Sequence, residues 1–452
     1  MQLICINIDR ETQSGSSTHF ILYKNKKIMI SKAQRYMASV AAAIAVNLVL
    51  QPVRANDTPT QPLIINAGAI FDGTTFIEGN NAILVQNGKI KQIAPAGSIV
   101  LSNARVVNVP GGSILPGFID MHTHHLINGV PPRRMLEHGI TTARDLGSAE
   151  PITPALTNQT YQLRQFFSGP ILQAQKVVNG AVQLGYPNVV FPGSGVVVNS
   201  PKEARHKVDS LVKQGASVIA VYLEEGGEFG APWGWHVPSA PWPWVTLTDD
   251  ELNAIVDQAH NKHHVRVTAY LGNSVSAMRA LKAGVDEWAH SPCDTLDPEV
   301  IALAGAKGIA IDGTIDTEIK CTGALDNAAA MVAAGAKLFY STDMGHPDIP
   351  HGIDAQEIHM GLHVGFDQGQ DYPTALTHAL KSATSEAGEY LRHDTLGHII
   401  KSVPANLGQI IEGAPADILV IGTDVRATFK ELEFPRLVVK DGRVVIERAQ
   451  GE

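Results

Sequence analysis

The stretch PKEARHKVDSLVKQGASVIAVYL, residues 201–223, reads as an amphipathic helix running into a short β-rich strand. The same alternation extends in both directions. Upstream lie the β-rich runs FIDMHTH (118–124), TTARDL (141–146) and LQAQKVV (172–178). Downstream, VRVTAY (265–270) follows the helical DDELNAIVDQAHNKH, and DEWAH (286–290) follows SVSAMRALKAG. GIAIDGT (308–314) then follows PEVIALAGAKG, and KLFYSTD (337–343) follows NAAAMVAAGA. Eight strand candidates alternating with helices predict an α/β fold, a (β/α)8 TIM barrel whose active site lies where strand C-termini meet the following loops.

Outside this core, Ile64 to Val109 alternates in short segments broken by turns, with Asn87-Gly88 the strongest hairpin signal. Ala416 to Asp424 and Arg436 to Glu447 repeat that chemistry at the far end, with Asp441-Gly442 as the turn. The two ends are therefore expected to build one small β-sandwich domain. The expected division is a leader at 1–55, an N-terminal sandwich segment at 56–114, the barrel at 115–403 and a C-terminal sandwich segment at 404–452.

Of 452 residues, 44 % are hydrophobic and 17 % charged, with 41 Gly and 26 Pro spread along the chain. That balance fits a loop-rich globular enzyme and excludes collagen, coiled coil and a polytopic membrane protein. The net charge of -9 is uneven: residues 1–55 carry seven Lys/Arg against Asp9 and Glu11, a net of +5, which leaves -14 for the remainder. An acidic body of that size repels phosphate backbones, so no nucleic-acid partner is expected. A small-molecule substrate is, and homo-oligomers stay open.

The basic leader precedes an apolar run, MASVAAAIAVNLVL (Met37–Leu50), and then Val53-Arg54-Ala55. This is the pattern of a secretory signal peptide cut near Ala55, with Met29 as the expected start. Fourteen residues with Asn47 among them are too few for a stable membrane anchor, which needs about 20. The mature protein is expected in the periplasm or outside the cell. Cys5 would leave with the leader, and Cys293 and Cys321 would then either pair or stay free.

Strand 1 ends in Pro116-Gly117-Phe118-Ile119-Asp120-Met121-His122-Thr123-His124. Side chains alternate along a strand, so His122 and His124 share a face and can grip one cation, while His125 has the opposite parity and reads as a packing or loop histidine. With PGFIDMHTH go GITTARDLG (139–147), GVDEWAH (284–290), YSTD (340–343) and G-x-x-x-x-G-x-x-ADILV (408–420). On these motifs the chain resembles the amidohydrolase superfamily, most closely its imidazolonepropionase-like and prolidase-like (Xaa-Pro dipeptidase-like) branch. The resemblance covers nearly the whole mature chain. It implies metal-dependent hydrolysis of amide or other C–N bonds in small molecules, with Asp343 as metal ligand and general base and His290 as the strand 6 histidine.

Two positions depart from the family pattern. Ala220 stands where binuclear members carry a carboxylated lysine, and Tyr270 where they carry a strand 5 histidine. Alanine cannot ligate, and a neutral phenol is a poor ligand. His122, His124 and Asp343 remain as metal ligands, a three-ligand set that suits one zinc per chain, with His290 polarising the scissile carbonyl. A second metal enters only if Glu224, which shares its parity with Ala220 and Tyr222, supplies the missing carboxylate; otherwise Glu224 is a solvated loop acid.

Tyr222 and Tyr270 can donate to an oxyanion, fill the vacated metal space, or simply pack. The loop GGEFGAPWGWHVPSAPWPW (226–244) holds Trp233, Trp235, Trp242 and Trp244, which suggests an aromatic lid and a substrate with an aromatic or bulky apolar part. Rim packing and a dimer contact are its other readings. His351 follows the strand 8 aspartate at a family position and is a candidate substrate contact. His359 and His363 lie four apart but read as a solvated helix face.

These observations favour an amidohydrolase acting on an N-acyl amino acid, a dipeptide-like or a cyclic amide. A lactone or ester hydrolase on the same site, and a catalytically degenerate binding protein, are the alternatives.

Overall fold

The computed structural model describes residues 61–152, 162–178, 181–184, 193–225, 244–346 and 348–449. The leader, Met29, Ala55, Trp233 and Trp235 fall outside that set. The described chain belongs to one compact unit, Thr58–Glu452. None of its helices is long and apolar enough to cross a membrane.

The first strands are β1 (Leu63–Phe71), β2 (Phe76–Ile77), β3 (Asn81–Gln86), β4 (Lys89–Pro95) and β5 (Arg105–Pro116). Next come β6 (Phe118–Thr123), β7 (Ile140–Asp145), β8 (Arg164–Phe167), β9 (Ile171–Gln173), β10 (Gln175–Val178), β11 (Ala181–Leu184) and β12 (Gly195–Val197). The series continues with β13 (Val218–Tyr222), β14 (Arg266–Tyr270), β15 (Glu287–Trp288), β16 (Ala310–Asp312) and β17 (Lys337–Phe339). It closes with β18 (Ile418–Ile421), β19 (Leu437–Lys440) and β20 (Arg443–Glu447).

Strands from both chain ends share one sheet, in the order β20-β19-β18-β5-β1-β3-β4, with β2 on β1. The two expected hairpins are there: Asn87 and Gly88 have φ of 52° and 75°, Asp441 and Gly442 of 48° and 77°. Positive φ at both central residues is what a tight two-residue hairpin needs. The two turns also touch, since a Cβ on Gly442 would lie 2.7 Å from the Gly88 Cα.

The sheet is fixed to the α/β body by charge. Lys440 is 1 % exposed and donates to Asp417 Oδ1 at 3.1 Å, while Arg164 of β8 donates to Asp417 Oδ2 at 2.5 Å. Despite its burial, Asp417 is held below the ordinary carboxylate range by Arg164 and Lys440. A depressed folded pKa contributes stability above the unfolded value, near 4, that is lost as pH falls through the folded one. The stability gap between the native protein and Asp417→Asn should therefore stay constant above about pH 5 and close below about pH 4, as urea midpoints across that range would show.

The remaining ladder is parallel, in a three-stranded sheet β6-β7-β8 and a seven-stranded sheet β12-β9-β13-β14-β15-β16-β17. Backbone bonds join the two at both edges: Ser217 N to Phe167 O on one side, and Met121 N to Tyr340 O and Asp343 N to His122 O on the other. The result is a TIM-barrel-like α/β domain, and each expected strand carries β structure. LQAQKVV divides, however: β9 stays in the ladder, while β10 turns away to pair with β11. The strand that joins β7 is β8, whose four residues RQFF are too short to show a period.

Inside the ladder, Arg144 of β7 is 2 % exposed. It reaches Asp312 of β16 at 2.9 and 3.0 Å, Glu287 of β15 at 2.7 Å and the Met121 carbonyl at 2.8 Å. This ion cluster ties four strands together beneath the site.

Candidate metal centre

The C-terminal ends of the parallel strands hold the predicted residues. His122 closes β6 and is fully buried; its Nδ1 donates to the Ala289 carbonyl just past β15, at 2.5 Å. That bond fixes the tautomer and leaves Nε2 as a lone pair. Nε2 lies 3.2 Å from His124 Nε2, 3.6 Å from Asp343 Oδ1 and 3.1 Å from the Tyr270 hydroxyl. Tyr270 at the end of β14 donates its proton to the Leu146 carbonyl at 2.6 Å, so its oxygen turns only lone pairs towards the histidines. His124 Nε2 is 3.2 Å from Asp343 Oδ1, yet that buried oxygen accepts no hydrogen bond.

These donor atoms fit a divalent cation. With Asp343 ionised, only His124, in one of its two tautomers, has a proton to offer among them. Burial and the neighbouring imidazoles His290 and His124 push His122 well below the usual range, and burial takes His124 to about 3, so both rings stay neutral as ligands must. Burial, with Asp120 adding, lifts Asp343 to about 8 in the absence of a cation, and a bound cation reverses that.

The backbone prepares this arrangement. Asp343 has φ of +56°, a left-handed conformation that a non-glycine residue holds only when its surroundings enforce it. Asp120, buried, accepts from the His122 N–H at 3.2 Å and from the Thr342 hydroxyl at 2.6 Å, clamping β6 to the segment that carries Asp343. Its parity with His122 and His124 was the signal that could have found it. Gly117, at the start of the same motif, passes so close that a Cβ would lie 2.3 Å from the Thr141 side chain.

His290 follows β15, with its ring centroid 4.7 Å from that of His122. Its Nδ1 bonds Thr314 Oγ1 at 2.7 Å, and that hydroxyl already donates to the Gly313 carbonyl. Nδ1 is therefore the protonated nitrogen, and the neutral ring has no second proton with which to polarise a carbonyl. Burial above all takes its pKa to about 3. The expected polarising role would need a proton on the other ring nitrogen.

Val218, Ala220 and Tyr222 share one face of β13 and pack with Tyr270, Leu146 and Trp244, as the parity argument requires. Glu224 is buried, not solvated, and accepts from the Tyr222 hydroxyl at 2.9 Å. The residue that sequence reasoning missed is Glu318, in the turn after β16. Among the described residues two sets can hold a metal, His122–His124–Asp343 and His290–Glu318–Asp343, and Glu224 is in neither. Nothing in the GTIDTEIK run that carries Glu318 marks it out.

His125 is buried against Thr123, Gln165 and Asp145, the packing one of its two expected readings. His351 is exposed, in a groove with Arg134, His138 and Phe434, and not in either metal-capable set. His359 and His363 are half-buried, their rings 4.8 Å apart. Cys293 and Cys321 form a disulfide.

A two-histidine, one-carboxylate set, buried at His122 and Asp343, at the mouth of a TIM-barrel-like domain defines the class of metal-dependent hydrolases. The family model of the amidohydrolase family matches residues 113–445. The chain belongs to the amidohydrolase family. It is 36 % identical over 77 residues to a dihydroorotase of Aquifex aeolicus (strain VF5), a stretch covering 17 % of this chain and 18 % of that protein. A crystal structure of an amidohydrolase superposes with a TM-score of 0.64 at 22 % identity, over 86 % of this chain and all of that one. A Xaa-Pro dipeptidase with methionine bound in its active site superposes with a TM-score of 0.60 at 20 % identity, over 85 % of this chain and 99 % of the other.

Proposed function

We propose that this protein is a metal-dependent amidohydrolase that cleaves an amide or other C–N bond of a small molecule, an N-acyl amino acid, a dipeptide-like or a cyclic amide. The observation that carries this reading is the convergence of His122 Nε2, His124 Nε2, Asp343 Oδ1 and the Tyr270 oxygen, with at most one proton among them once Asp343 is ionised. His122, His124 and Asp343 would hold the ion, zinc by preference for this donor set. A divalent ion held there would supply Lewis-acid chemistry and activate water for attack. Asp343 accepts a proton on its carboxylate and passes it to the leaving nitrogen.

Tyr222, Tyr270 and Trp244 form an apolar wall for the substrate, and Trp233 and Trp235 extend it in this proposal. Gln173 shares the face of Ile171, which packs with that wall, and both of its buried amide atoms are unpartnered, so it suits a polar group of the substrate. His351 is a contact only for a substrate long enough to reach its groove. The dipeptidase among the similar folds supports a dipeptide-like substrate. We retain the closed (β/α)8 barrel at 115–403 and the sandwich from both ends as the architecture. Export with cleavage near Ala55 is supported by the disulfide, which persists in oxidising compartments.

A panel of N-acyl amino acids, dipeptides and cyclic amides, each beside its ester or lactone analogue, tests the activity. Amide turnover that disappears with a chelator and returns with zinc, manganese or cobalt is expected. Faster turnover of the esters throughout would favour the lactone or ester reading. No turnover and no bound metal would leave only a binding role.

A further inference from the structure

Gln173 closes β9 and is fully buried, yet neither its amide nitrogen nor its amide oxygen has a hydrogen-bond partner among the described residues. Unmet polar atoms at such depth are rare and costly, and two of them on one side chain mark a place for a ligand. The ladder shows where that side chain stands. Leu172 is in register with Val221 of β13, so one residue further on Gln173 flanks Tyr222, and Tyr222 is in register with Tyr270 of β14. Ile171, of the same parity as Gln173, packs in one cluster with Tyr222 and Tyr270, which puts the amide on the inward face. The Tyr270 oxygen is 3.1 Å from His122 Nε2, so the row Gln173, Tyr222, Tyr270 runs from the unmet amide to the candidate metal ligands.

Charge is a second, independent observation. The segments that follow the strand C-termini are 124–131, 146–163, 174–200, 223–248, 271–273, 289–297, 313–323 and 340–354, and together they hold eleven Asp and Glu against two Lys and no Arg. Both lysines are exposed: Lys176 lies on β10, which turns away from the ladder, and Lys320 lies just past Glu318. Arg144, beneath the site, is held by Glu287 and Asp312. Glu224, Glu318 and Asp343 are buried in the mouth itself. A face of that sign repels anionic substrates, and it offers a terminal carboxylate only the two exposed lysines.

We propose that the substrate is a neutral amide, an N-acyl amino-acid amide or a dipeptide amide, and that Gln173 sets this specificity by pairing with its terminal carboxamide. The proposal rests on the amidohydrolase reading and narrows it. A primary amide offers a C=O and an N–H on one edge, and a second primary amide meets them with the same two groups in reverse order. A carboxylate has acceptors only, so it would leave the Gln173 oxygen unmet and bring a negative charge into an acidic mouth. A methyl ester is neutral but donates nothing, and it separates the two effects.

Acyl release from N-acetyl-phenylalanine and glycyl-phenylalanine, each as free acid, methyl ester and primary amide, tests this in the zinc-loaded native protein and in Gln173→Leu. In the native protein kcat/KM should rise about tenfold or more from acid to ester, as the charge is lost, and about tenfold again from ester to primary amide, as the donor is gained. In Gln173→Leu the second step should shrink to within about threefold while the first persists and the bound metal per chain is unchanged. An acid cleaved as fast as its ester would overturn the neutral substrate. A second step that is undiminished in Gln173→Leu would overturn the role of Gln173. If that variant does not fold, the native protein still decides, because equal rates for ester and primary amide exclude the contact. No acyl release from any of these compounds overturns this substrate class alone if the wider panel finds another amide cleaved, and the amidohydrolase reading with it if the panel finds none.

Discussion

Replacing Asp343 by Asn should lower kcat/KM by about 10^3-fold or more while leaving the fold intact, because the change removes both a metal ligand and the proton acceptor. The fold should survive for a local reason. Position 343 sits at φ of +56°, and asparagine is among the few side chains that adopt this conformation readily. The Asp343 N–H bond to the His122 carbonyl belongs to the backbone and is untouched. Steady-state kinetics on the best amide substrate, with a melting curve for each protein, measure the two halves. Activity within tenfold of native would exclude Asp343 as the general base.

Replacing Arg144 by Met should cost about 3–5 kcal/mol of stability, the range for removing one partner of a buried ion pair. Glu287 and Asp312 would be left facing each other, each under 1 % exposed, with no cation between them. Asp312 is already pushed well above the ordinary carboxylate range by burial, in spite of Arg144. Urea denaturation at neutral pH gives the number. A loss below about 1 kcal/mol would mean that the two acids take up protons and that the guanidinium contributes mainly by packing. Because Arg144 also holds the Met121 carbonyl, next to His122, the variant should bind metal less tightly.

Much of the fold was legible because its signals are local. Hydrophobic runs of strand length between helices of regular spacing name the parallel ladder, and the positive-φ dipeptides Asn87-Gly88 and Asp441-Gly442 name their hairpins. Strand parity alone put His122 with His124, and Ala220 with Tyr222, on the faces they occupy. What the sequence hid depends on contacts between distant segments. β8 is too short for a period, Glu318 lies in a turn with no pattern of its own, and the tautomer of His290 is set by Thr314, on a neighbouring strand end. Asp120 was visible by parity but not by role, which only its bonds to Thr342 disclose.

The sheet shared by both chain ends has a consequence for biosynthesis. In β5, Leu115 pairs with Leu419 of β18, and Gly117, where β5 passes into β6, donates its N–H to the Asp417 carbonyl. The strand carrying His122 thus leans on residues that the ribosome adds long after it. Until they emerge, β5 presents an open edge of the kind that recruits foreign strands. A premature stop near residue 404 would therefore remove far more than a peripheral layer: His122 and His124 would lose the support of strands made long after them.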